Sequence, residues 1–115
     1  MNNKTGGMEK YYAKRVQEYE NIYLKPERKN CIEESRKILK KYFENRNVLE
    51  IACGTGYWTE TISETSLKIV AVDINNEVLE AAKTKKYGCN VEFIQDDVYK
   101  LDKIKGQYDS LFAGF

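Results

Sequence analysis

Residues 48–56 read V-L-E-I-A-C-G-T-G, and no other stretch constrains the fold as strongly. Val48 to Ala52 is a short apolar run followed by Gly54 and Gly56, which predicts a buried strand entering a tight turn. Two glycines there let the backbone approach a ligand closely, with N–H groups facing it and a helix starting beyond. A bare G-x-G is weak by itself, because an ordinary strand-to-helix turn looks the same. Here it has company. Leu67 to Val72 is a second apolar run ending in Asp73, seventeen residues after Gly56. An acid in that place can accept hydrogen bonds from both hydroxyls of a ribose.

The remaining periodicity fills in the architecture. Val91 to Ile94 and Tyr108 to Ala113 predict a third and a fourth strand. Tyr57 to Thr65 predicts a short helix with Trp58 and Ile62 one turn apart. Asn75 or Asn76 caps the next helix, with Glu77 and Glu80 early, lysines late and Gly88 beyond its end. Ahead of the first strand, Met8, Tyr12, Val16, Tyr19 and Tyr23 keep helical spacing. Pro26 then opens a second helix with Cys31, Ile32, Ser35, Ile38, Leu39, Tyr42 and Phe43 on one face. Residues 1–7, polar with two glycines, are expected to form a flexible tail. Strands alternating with helices predict an α/β fold of βαβ units with a parallel sheet. The expected divisions are the tail at 1–7, N-terminal helices at 8–46 and a partial sheet domain at 47–115. An uncovered edge reading Leu111-Phe112-Ala113-Gly114-Phe115 is a pairing liability. Either the chain is a fragment of a longer protein, or another copy completes it through that edge.

Composition narrows the chemistry. A chain of 115 residues holds one domain, and no apolar stretch approaches the ~20 residues needed to span a bilayer. Net charge is +1, from 19 Lys plus Arg against 18 Asp plus Glu, which argues against neutralising nucleic-acid phosphates. Neither nucleic acid nor a membrane is expected as a partner. The lysines at 83, 85, 86, 100, 103 and 105 read as solvated surface. The absence of histidine removes Ser-His-Asp and Cys-His nucleophiles and histidine-bound metals. Cys31, Cys53 and Cys89 lie far apart with no C-x-x-C pair, the pattern of reduced thiols in a cytoplasmic protein without a metal site. Cys53 reads as a small buried filler.

The nucleotide is constrained by what is missing. Thr59 stands where G-x-G-x-x-G would have its third glycine, and there is no G-K-[ST]. From Asn47 to Leu67 there is no Lys or Arg, whereas Glu50, Glu60 and Glu64 are present. A pyrophosphate would meet carboxylates there. A ribose-bearing ligand with a positive charge and no phosphate fits better, and S-adenosylmethionine has those properties.

From Val48 to Phe115 the sequence resembles the class I S-adenosylmethionine-dependent methyltransferases. V-L-E-I-A-C-G-T-G is similar to their glycine-rich first motif and V-A-V-D-I at 70–74 to the second. V-E-F-I-Q-D-D-V at 91–98 resembles the third, and Y-D-S-L-F-A-G-F at 108–115 the fourth strand. The resemblance implies a Rossmann-like doubly wound sheet in the order 3-2-1-4, truncated after the fourth of seven strands. It implies that Glu50, Gly54 and Gly56 shape the methionine site, that Asp73 holds the ribose, and that Asp97 with Val98 holds the adenine. Asp96 competes with Asp97 for that role. Ala52 and Ile74 belong to the same cofactor-binding set, and Trp58 either contacts the cofactor or anchors its helix on the sheet. Ala113 and Gly114 would border the sulfonium, and Tyr12 and Tyr19 would belong to an N-terminal cover helix. Ala52 departs from the family, which often has glycine there. The implied activity is methyl transfer to a small-molecule acceptor, with this chain as the cofactor-binding half. The alternatives are a non-catalytic assembly module and aminopropyl transfer from decarboxylated S-adenosylmethionine. No catalytic residue is identifiable.

Overall fold

The structure is a computed structural model that describes residues 3–97 and 108–114. Helix α1 spans Asn3–Glu20. It begins at Asn3 and not at Met8, so the segment expected as a flexible tail over 1–7 is helical from its third residue. Once a helix is nucleated, each added residue brings a hydrogen bond, which offsets the roughly 1 kcal/mol that a glycine costs. Two 3-10 turns follow, Asn21–Leu24 and Pro26–Arg28. Pro26 therefore starts a turn, and helix α2 proper runs Lys29–Tyr42. Asn45 leaves this helix in the left-handed region at φ 58, a conformation that asparagine tolerates. Its N–H donates to the Thr65 carbonyl at 2.9 Å.

Strand β1 (Asn47–Ile51) leads to α3 (Tyr57–Ser63), β2 (Lys68–Asp73), α4 (Asn76–Ala82), β3 (Asn90–Gln95) and β4 (Ser110–Phe112). The four strands form one sheet in the order β3-β2-β1-β4. All three pairings are parallel, with Val48 opposite Ile69 and Ser110, and Ile69 opposite Val91. This is the Rossmann-like order expected from the motifs. Asn75, not Asn76, caps α4: its side chain accepts from the Glu77 N–H at 2.9 Å.

Register decides the core. Val48, Ile69 and Ala71 lie on one face of the sheet, packed against Phe43, Ile62 and Leu79. Glu50 alternates with Val48 onto that same face, which puts a carboxyl group into an otherwise apolar layer. Strand β2 is buried from Ile69 to Val72 on both faces, as its unbroken apolar run requires. At the other end of the sheet, Leu111 of β4 is 62% exposed. Among the described residues no helix is long and apolar enough to cross a membrane.

Candidate functional site

The sheet order reverses between β1 and β4, and in open parallel sheets a ligand crevice forms beyond the carboxyl ends of the strands at such a point. A crevice of about 180 Å³ lies there. The turn after β1 forms its base, with Ala52, Cys53, Gly54 and Thr55, and Gly114 borders it beyond β4. Ala52 (φ 54), Gly54 (φ 58) and Gly56 (φ 84) all take left-handed backbone conformations. For Ala52 that costs about 1 kcal/mol that glycine would avoid, a physical reason for glycine at this position in similar motifs. A Cβ on Gly54 would meet nothing within 4 Å, so open space adjoins its backbone.

Asp73 ties this turn to the second strand. One carboxylate oxygen accepts from the Gly54 N–H at 2.9 Å, and the other accepts from the Asn75 N–H at 2.9 Å. Each oxygen has a further lone pair, and the side chain is half-buried. The acid thus fixes the glycine turn and keeps acceptor capacity for a ligand. Gln95, at the end of β3, donates to the Ile74 carbonyl at 3.1 Å. Ile74 itself is 64% exposed. The Asp96 carboxylate accepts from the Asp97 N–H at 2.8 Å, so Asp96 shapes the loop in which Asp97 stands. Val98 lies outside the described residues.

Glu50 sits beneath the turn and not on the crevice wall. It is 2% exposed, and Thr59 donates its hydroxyl to the carboxyl at 2.5 Å. Burial is the main cause of a pKa pushed up to about 8; the Asp73 charge adds to it, and the Thr59 hydrogen bond opposes it. Near neutral pH Glu50 therefore holds its proton. Burial, with the Glu50 and Asp73 charges adding, also pushes the Cys53 thiol well up. Cys53 stays a thiol and is no nucleophile.

The crevice has a roof that the periodicity of the sequence does not place. Tyr19 and Tyr23 line it together with Tyr57, Trp58 and Val78. Tyr23 stacks on Tyr57 with ring centroids 3.9 Å apart and meets Trp58 edge-on at 5.9 Å. Helix α1 is pinned across α4 by Arg15, whose guanidinium contacts Glu77 at 2.7 Å and donates to the Tyr19 hydroxyl at 3.0 Å. At its end, Glu20 accepts from the Thr55 hydroxyl at 2.6 Å and from the Lys85 ammonium. Lys85 is 11% exposed and lies 3.3 Å from Glu60 as well. Tyr12 is half-buried but does not line the crevice.

The geometry thus brings Ala52, Gly54, Trp58, Tyr19 and Gly114 to one crevice and sets Asp73 at its glycine turn. It leaves Glu50 below and Tyr12 outside. Tyr23, Cys53, Thr55, Tyr57 and Val78 line the crevice as well and are not among the site residues expected from the sequence. The adjacent aromatics Tyr57-Trp58, directly after Gly56, were the available signal.

Gly56 gives the turn a sharp steric test. A Cβ there would fall 2.5 Å from the Tyr87 hydroxyl oxygen, which is itself held by donating to the Ala82 carbonyl at 2.6 Å. Gly56→Ala is expected to lower unfolding stability by about 2–4 kcal/mol through overpacking and left-handed strain. Urea denaturation measures this. A loss below about 0.5 kcal/mol would mean that the Tyr87 contact does not constrain the turn.

Comparison with known proteins places this geometry among relatives. Residues 48–115 match the family model described as a methyltransferase domain. The chain is 35% identical over 75 residues to a demethylmenaquinone methyltransferase of Lactococcus lactis, covering 60% of this chain and 30% of the relative. It is 38% identical over 68 residues to a malonyl-[acyl-carrier protein] O-methyltransferase of Priestia megaterium, covering 57% and 24% respectively. A solved structure described as a DhpI-SAM-HEP complex superposes with TM-score 0.68 at 30% identity, over 90% of this chain and 47% of that one. The chain therefore spans under a third of the curated relatives' length and about half of the solved structure.

Proposed function

We propose that this chain, which belongs to the class I S-adenosylmethionine-dependent methyltransferase family, binds S-adenosylmethionine at the crevice beyond β1 and β4 and exposes its methyl group to a small-molecule acceptor. The observation that carries this reading is the Asp73 carboxylate, bonded to the Gly54 N–H at the edge of the crevice. A ribose diol needs two acceptors on one rigid acid, and Asp73 supplies them with its position fixed from two sides. Open space beside Gly54 admits the amino-acid end of the ligand close to the backbone. Among the described residues no Lys or Arg lines the crevice, which suits a cationic ligand without phosphates.

When bound, S-adenosylmethionine supplies a methyl group on a positively charged sulfur, activated by that charge. The protein's work is to orient and desolvate. The aromatic wall of Tyr23, Tyr57 and Trp58 excludes water from the β4 end and offers ring faces to a cation. Helix α1, held through Arg15 and Glu20, closes the roof. Relatives named for demethylmenaquinone and for a malonyl group on its carrier protein support an acceptor of small size.

Calorimetric titration of the chain with S-adenosylmethionine tests the proposal. Saturable binding at one site per chain is the expected result. A well-folded chain that takes up no cofactor would overturn it.

A further inference from the structure

A second cavity lies apart from the crevice among the described residues. A groove of about 750 Å³ runs between the two 3-10 turns and α2. Its floor is apolar, with Leu24, Pro26 and Ile32, and Leu24 is left 72% exposed. Its rim is cationic: Lys25 from the turn, and Lys29, Arg36, Lys37 and Lys40 from one face of α2, against the single carboxylate of Glu33. Helical spacing of three to four residues puts those α2 side chains on one stripe.

That stripe differs from an ordinary solvated lysine face in two ways. Lys25, Lys29 and Lys37 have no ion pair among the described residues, whereas Lys40 is paired with Glu64 at 3.1 Å. Arg36 is half-buried, and its Nε lies out of solvent with no hydrogen-bond partner among the described residues. Its guanidinium carbon lies 5.2 Å from the Tyr57 ring centroid, so Arg36 ties the stripe to the crevice lining and leaves Lys25, Lys29 and Lys37 as the cations open to an anion.

The groove also adjoins the crevice at an informative place. Tyr23 lines both cavities, and Arg36 of the groove donates to the hydroxyl of Tyr57 in the crevice at 3.0 Å. Trp58 lies against Gly114 beyond β4, with Tyr23 and Tyr57 packed on it, whereas Asp73 ends β2 on the opposite side of β1. An acceptor has to approach from the end away from the ribose, because in-line attack requires a path to the methyl group. We infer that the groove between the 3-10 turns and α2 is the acceptor site, and that the acceptor is a small molecule with an apolar body and an oxyanion group, carboxylate or phosphate. This rests on the reading of the crevice as a cofactor site and goes on to name the acceptor's chemistry.

The test titrates the chain, below micellar concentration, with octyl phosphate, with octanoate and with uncharged octanol. Separate arms use S-adenosylmethionine and vesicles of phosphatidylglycerol. Both anions are expected to bind saturably and at least about tenfold more tightly than octanol. The double variant Lys29→Ala/Lys37→Ala is expected to lose about tenfold for the anions. Lys10→Ala/Lys14→Ala, which removes two exposed charges from α1, is expected to keep the wild-type affinity. Equal binding of octanol, or an equal loss in the α1 variant, would overturn the anion assignment. Cofactor binding without anion binding would overturn this inference and leave the proposed function standing. Anion binding without cofactor binding would overturn the proposed function and the acceptor role with it. Vesicle binding that the groove variant abolishes, with no uptake of the soluble anions, would give the groove to a lipid surface and overturn the small-molecule acceptor.

Discussion

Asp73→Ala is expected to weaken S-adenosylmethionine binding by about 100-fold or more. The carboxylate offers two charge-assisted acceptors to the ribose, each worth roughly 1.5–3 kcal/mol. It also loses the bonds that hold the Gly54 and Asn75 N–H groups at 2.9 Å, so the turn that forms the base of the crevice loosens. Asp73→Asn keeps the volume and one carbonyl oxygen, and a loss nearer about tenfold is expected from it. Calorimetry on both variants, with thermal melts to establish folding, separates the two contributions. Unchanged affinity in a folded Asp73→Ala chain would remove Asp73 from the site.

The second large effect concerns pH and Glu50. Its pKa in the folded chain is raised from the ordinary 4.5 to about 8, first by burial. When the chain unfolds the group returns to the ordinary carboxylate range. Between about pH 4.5 and 8 the unfolded chain gives up this proton while the native chain keeps it, so the native state binds more protons and stability falls as pH rises. The contribution is fully present below the unfolded value and is lost as pH passes through the folded one. Its size is on the order of a few kcal/mol. In Glu50→Gln this slope is absent. The variant pays a fixed cost for a buried amide beside Thr59 but gains on wild type steadily as pH rises. Urea unfolding of both proteins across that range gives the comparison, since every other titrating group is shared. Parallel stability curves would show that Glu50 does not titrate as its burial demands.

These two acids also mark where local pattern stops being informative. The place of Asp73 beside the glycine turn was legible in the sequence because it depends on chain-local facts: an apolar run, an acid at its end, and two glycines at a set distance upstream. The parallel pairing followed from the same source, since short apolar runs separated by helical segments leave few topologies, whereas the order 3-2-1-4 was implied by the family resemblance. Glu50 was assigned to the cofactor site from its place in the motif. Its alternation with Val48 turns it into the core instead, and the proton it keeps follows from what Thr59 and the opposing helices bring around it.

The sequence by itself determined the strand–glycine turn–strand–acid frame, a helix cap at Asn75 or Asn76 and the family resemblance, because hydrophobic period and turn chemistry act over a few residues. Only the tertiary structure decided the roof and the groove. Glu20 meets Thr55 and Lys85 across separations of 35 and 65 residues, and Arg15 reaches Glu77 across 62. No periodicity encodes such contacts. They form because α1 packs across α4 and Tyr23 of the first 3-10 turn stacks on Tyr57 of α3, and that packing selects which charges meet among the described residues.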